Sequence, residues 1–114
     1  MKVKEFAQSM GMKVLTGEDG GDKDITGIYA CDLLSWVMSH ACKGDGWITV
    51  HTHLNVAAVA LLTEAACVIV PEGIAVEEAT VKKAAEEGIS ILSSGLSSYE
   101  ICYRAHRLIG ENEA

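Results

Sequence analysis

The sequence is short of several things at once. Its 114 residues include one proline and one phenylalanine, and aromatic residues make up only 5%. Basic residues are scarce as well. Nine Lys and Arg stand against sixteen Asp and Glu, a formal charge of −7. That sign argues against nucleic acid or an anionic membrane as the main partner. Long apolar runs are missing: the longest covers residues 56–62, far below the ~20 residues that span a bilayer. No extended apolar stretch follows the basic start Met1-Lys2-Val3-Lys4, so no secretory signal is read. The expectation is a soluble, cytoplasmic chain.

Three catalytic signatures are absent. There is no Gly-Lys dipeptide, which rules out the phosphate loop that ends in Gly-Lys-Ser/Thr and the kinase activity that depends on it. No Gly-x-Gly-x-x-Gly follows a strand, so the dinucleotide fingerprint is missing. No Gly-x-Ser-x-Gly elbow presents a serine nucleophile. The four cysteines, Cys31, Cys42, Cys67 and Cys102, form no Cys-x-x-Cys pair and sit among apolar residues. They read as buried, reduced thiols before a disulfide framework or a zinc site. No cofactor is called for.

What remains is a globular composition, 49% hydrophobic and 22% charged, in one domain spanning residues 1–114. Val3, Phe6, Ala7 and Met10 follow helical spacing, and Gly11 stops that helix. Residues 13–16 form a strand candidate. Residues 17–24 hold three glycines and four acids, a loop in which Glu18, Asp19 and Asp22 would repel a phosphate and give at most a weak cation site. Residues 25–30 predict a second strand. Asp32 has the type and place of an N-cap, followed by one apolar face of Leu33, Leu34, Val37, Met38 and Ala41. Trp36 lies at the edge of that stripe.

From Trp47 onward the pattern alternates. Residues 47–50 predict a strand and 55–66 a nearly all-apolar helix. Residues 67–70 predict a buried strand, with Val68 and Ile69 central and fully covered. Residues 76–87 predict a helix with Val76, Ala79, Thr80 and Ala84 inward. Residues 89–92 predict a last strand, and Ser97-x-x-Glu100 a capping box for the last helix. That helix is expected to bury Ile101, Cys102, Ala105, Leu108 and Ile109. Short apolar strands alternating with helices mean βαβ units and an α/β fold with parallel strand pairs.

In such sheets ligands bind outside the carboxyl ends of the strands. Three exits are legible. The first carries His51, Thr52, His53 and Asn55, the second Glu72 and Gly73, and the third Ser93, Ser94 and Ser97. These nine residues are the candidate ligand-binding set, each stretch leading toward a helix start that favours an anion. His51 and His53 alternate on an extended segment and invite a metal, but a zinc site needs a third protein ligand. The bland alternative has one histidine capping the helix and the other in the loop. Arg104 and Arg107, the only arginines, could clamp an anion or simply face solvent.

The run Gly27-Ile-Tyr-Ala-Cys-Asp-Leu-Leu-Ser-Trp-Val-Met resembles the DRTGG-domain family. So do Gly44-Asp-Gly-Trp-Ile-Thr-Val-His-Thr-His, Glu86-Glu-Gly-Ile-Ser-Ile-Leu-Ser and Leu96-Ser-Ser-Tyr-Glu. The resemblance covers nearly the whole chain from about Val14. Where the family carries Asp-Arg, this chain has His53-Leu54-Asn55; where it carries Thr-Gly-Gly, this chain has Pro71-Glu72-Gly73, and only Gly73 matches. The resemblance implies a three-layer α/β/α domain with a mostly parallel or mixed central sheet, like the N-terminal domain of HPr kinase/phosphorylase. It also implies a regulatory, oligomerising role beside phosphotransacetylase or CBS-domain pyrophosphatase modules, not a catalytic one.

The leading expectation is a non-catalytic regulatory module sensing a nucleotide or small anion at the strand exits. A small enzyme using His51 or His53 as general base, with or without a metal, is the first alternative. A structural dimerisation module without ligand is the second. A symmetric homodimer is expected through the helix at 32–41 or the loop before it.

Overall fold

Cys67–Val70 is apolar at every position, and all four residues are buried. A strand that is apolar on both faces requires cover on both, and the fold supplies it. A computed structural model describes residues 1–17 and 22–113. In chain order the elements are α1 (Val3–Met10), β1 (Lys13–Thr16), β2 (Gly27–Ala30), α2 (Leu34–His40), β3 (Asp45–Ile48) and α3 (Asn55–Thr63). They continue with β4 (Cys67–Val70), α4 (Glu78–Glu86), β5 (Ile91–Ser93) and α5 (Ser98–Glu113).

The sheet has five strands in the order β1-β5-β4-β3-β2. β2, β3, β4 and β5 are mutually parallel, and β1 runs antiparallel to β5. The mixed α/β architecture expected from the sequence is thus present. Two cores lie on opposite sides of the sheet. One joins Val3, Phe6, Ile69, Leu92, Ile101 and Ile109, drawn from α1, α5 and the strands. The other joins Val37, Trp47, Val56, Val68, Ala84 and Ile91, drawn from α2, α3, α4 and the strands. Val68 and Ile69 are both 0% exposed, as expected for the central strand.

Local signals hold where they depend on neighbours in sequence. Gly11 ends α1 in the left-handed conformation, φ 66°. Gly17 is required by a close approach. A Cβ there would stand 2.4 Å from Ser90 Cα, and Ser90 Oγ donates to the Gly17 carbonyl at 2.7 Å. The acidic stretch at 18–21 lies outside the described residues. Element boundaries shift by one to three residues against the sequence reading, and within α4 Thr80 and Ala84 are buried whereas Ala79 is exposed.

Three expectations are overturned. Asp32 does not cap α2. That helix starts at Leu34, with Leu33 at the cap position and no side-chain cap bond. The apolar stripe of α2 does not all face the core. Only Val37 is fully buried, while Leu33 is 62% and Met38 51% exposed. The helix is short and lies at the end of its layer, so part of its apolar surface meets no neighbour. Nor are all four cysteines buried: Cys67 is, Cys31 and Cys102 are half-buried, and Cys42 is exposed in the turn before β3. All four are free thiols.

Two outcomes follow from this core. Ile69→Asp places an unpaired carboxylate in a dry strand, costing several kcal/mol against a typical total of ~5–15 kcal/mol. Circular dichroism of the variant is expected to show loss of the cooperative unfolding transition. Burial also pushes the Cys67 thiol up to about 12, with Lys23 opposing weakly. A thiol reagent at pH 8 is therefore expected to label Cys42 first in the native protein and Cys67 only after unfolding; equal rates for the two would contradict this core.

Candidate functional site

Because β2 to β5 are adjacent in chain order and parallel, their carboxyl ends share one edge of the sheet. α2, α3 and α4 follow right-handed crossovers and lie on one face. The chain leaving β5 goes the other way, into α5 on the opposite face. Neighbouring strands β4 and β5 therefore send their chains to opposite sides. Such a parting is where doubly wound sheets place their ligand crevice.

Hydrogen bonds tie the β4 exit to the β5 exit, and the β2 exit to the β3 exit. Between the β4 and β5 exits, the Gly73 N–H donates to the Ser94 carbonyl at 2.8 Å and the Glu72 N–H to the Leu96 carbonyl at 2.8 Å. Glu72 holds a left-handed conformation, φ 59°, to make this turn. Ser94 is buried, and its Oγ accepts from the Leu96 N–H at 3.1 Å. Ser97 Oγ accepts from the Glu100 N–H at 3.2 Å, capping α5. The capping box is only half made, since the Glu100 carboxylate turns to Arg104 at 3.2 Å. That ion pair also occupies one arginine of the expected clamp.

The β3 exit is tied on both sides. The Thr52 carbonyl accepts from Thr80 Oγ1 of α4 at 2.6 Å. On the other side stands Asp32, whose part the sequence reading missed. Its Oδ1 accepts from Thr49 Oγ1 at 2.8 Å and from the Val50 N–H at 2.9 Å. The carboxylate fastens the end of β2 to the end of β3. Trp47 Nε1 adds a bond to the Cys31 carbonyl at 2.8 Å. A local capping rule misplaced Asp32 because its partners lie 17 and 18 residues away in sequence.

His51, His53 and Asn55 are exposed at this exit. The His53 Nδ1 accepts from the Asn55 N–H at 3.5 Å, yet Leu54 holds the cap position of α3 without a side-chain cap bond, so neither histidine caps that helix, and His51 sits in the loop. Among the described residues no third His, Cys, Asp or Glu joins the two imidazoles in a metal-binding group. Ser93 is half-buried at the end of β5, paired to Val70 and Lys13. The nine candidates lie along the chain leaving β3, β4 and β5, and the described bonds join only the stretches after β4 and β5.

None of the four main cavities among the described residues is lined by these nine. The largest, about 600 Å³, opens at the amino ends of the strands between Asp22, Lys23, Asp24, Lys43 and Glu64. Four of these five side chains already have partners. Lys43 meets Glu64 at 3.6 Å, Lys2 meets Asp24 at 3.2 Å, and Lys23 donates to the Gly88 carbonyl. The carboxyl edge offers the exposed His51 and His53 imidazoles and the half-buried Thr52 and Ser93 hydroxyls.

Asp32→Ala removes the acceptor of two bonds at an exposed position and is expected to lower stability by about 1 kcal/mol. Urea unfolding measures this directly. A midpoint unchanged from wild type would mean that the β2 and β3 exits hold together without it.

No family model matches the chain, and no curated protein matches it. Among solved structures its fold is similar to the CBS and DRTGG domains of the regulatory region of Clostridium perfringens pyrophosphatase, crystallised with the activator diadenosine tetraphosphate. The TM-score is 0.67 at 14% identity, over 95% of this chain and 45% of that one. The chain therefore spans less than half of the structure it matches, and the likeness is one of fold. Among the described residues no helix is long and apolar enough to cross a membrane.

Proposed function

We propose that this domain is a non-catalytic regulatory module that takes a small ligand at the carboxyl edge of its parallel strands. The observation that carries the reading is the parting of the chain after β4 and β5, with His51, Thr52, His53, Asn55, Glu72, Gly73, Ser93, Ser94 and Ser97 ranged along it. The fold shared with a regulatory region supports the same reading. A nucleoside phosphate fits this set better than a bare anion. The imidazoles suit phosphate oxygens, and the Glu72 carboxylate suits a ribose hydroxyl and repels phosphate.

The module works as a symmetric homodimer in this reading. Leu33, Trp36 and Met38 lie outward on or beside α2, at 62%, 51% and 51% exposure. Aromatic and apolar residues in such a position are characteristic of interface cores. Asp32 connects that surface to the ligand edge through Thr49 and Val50.

Thermal unfolding with a panel of nucleotides and inorganic anions tests the ligand. Saturation at 100 times the dissociation constant adds ~2.7 kcal/mol, a clear rise in midpoint for a domain of this size. The rise is expected to disappear in the double variant His51→Ala, His53→Ala, at two exposed positions. A panel in which nothing raises the midpoint would sink the sensing role.

A further inference from the structure

Two of the three tyrosines of this chain stand together in water. Tyr99 and Tyr103 lie one turn apart on α5, with ring centroids 5.5 Å apart and planes 24° from parallel. Tyr99 is 78% exposed and Tyr103 43%, and neither belongs to a core. Helical side chains lean toward the amino end of their helix. The Tyr99 ring therefore reaches back over the chain that enters α5 from β5, the stretch with Ser93, Ser94 and Ser97. Tyr103 stacks behind it from one turn further along. The other face of the Tyr99 ring is left to solvent.

The chain in front of that ring is open. Gly95, four residues before Tyr99, is exposed, and a Cβ there would meet nothing within 4 Å. Its φ is not positive, so the backbone does not require glycine here. What the missing side chain provides is room. Around the two rings α5 turns Arg104, His106 and Arg107 outward. The rings thus form a narrow aromatic step among basic groups, not part of the broad apolar patch that marks a protein interface.

We propose that Tyr99 is the stacking platform for the base of a nucleoside triphosphate whose phosphates lie toward the strand exits. This rests on the ligand reading above and names the part of the ligand that the nine exit residues leave unrecognised. Those residues offer imidazole, hydroxyl, amide and carboxylate groups, which suit phosphate and ribose. Only the imidazoles among them are flat, and the reading assigns those to phosphate. A base needs an aromatic face, and stacking on one is worth roughly five- to 150-fold in affinity. Because Tyr103 backs the ring, Tyr99 is ordered before the ligand arrives and loses little rotamer freedom on binding.

Isothermal titration calorimetry with ATP and with inorganic tripolyphosphate separates the base from the phosphates, and circular dichroism confirms that each variant folds. Wild type is expected to bind ATP at least about fivefold more tightly than tripolyphosphate. Tyr99→Ala is expected to remove that advantage and leave tripolyphosphate binding unchanged, while Tyr99→Phe, which keeps the ring, retains it. ATP binding unchanged in Tyr99→Ala, lost equally in Tyr99→Phe, or no tighter than tripolyphosphate in wild type overturns the platform and spares the ligand reading. A wild type that binds neither probe overturns the ligand reading and this inference together. Should Tyr99→Ala not fold, Gly95→Leu fills the open side of the ring and is read in the same two ways.

Discussion

Everything in this fold answers to the burial of β4. Cys67 and Ile69 point into one core, Val68 and Val70 into the other. Its backbone groups must all be paired, because no water reaches them; β3 and β5 do that from either side. Successive right-handed crossovers commit α2, α3 and α4 to a single face. The remaining face is left to elements outside those crossovers. α1 and α5 fill that place, which is why a short N-terminal helix and the last helix share a core with the middle of the sequence.

The parts legible in the sequence are those decided locally or by unbroken apolarity. β4 could be read residue by residue, since four apolar positions between turns admit only a covered strand. Gly11 and Ser97 likewise announce their roles through neighbours three or four positions away. The failures share a cause. A helical stripe tells which side of α2 is apolar, not whether the protein itself faces that side, and Leu33 and Met38 turn outward. Asp32 satisfies a capping pattern yet serves the end of another strand. The edge could be located because strand exits are visible; the bonds from Thr80 to Thr52 and from Gly73 to Ser94 join elements no periodicity connects.

Those bonds have a bearing on how a regulatory module would respond. An occupant at one exit changes a population only by binding one arrangement better than another. The exits of β2 and β3 are bonded to each other, as are those of β4 and β5. Asp32 is the link between the β3 loop, with its two histidines, and the entry to α2. In the proposed reading it is the shortest route from ligand to partner.

The antiparallel strand beside β5 bears on assembly in time. Each parallel pair is closed by a crossover through one helix, so those contacts are local. Lys13 pairs with Ser93 and Val14 with Leu92, a closure that spans most of the chain and carries a larger entropy loss than any crossover. During synthesis β1 emerges before β5, and it is housed only once β5 is in place. Its strand edge stays open until β5 arrives, and the charge of Lys13 within it is of the kind that discourages pairing elsewhere in that interval.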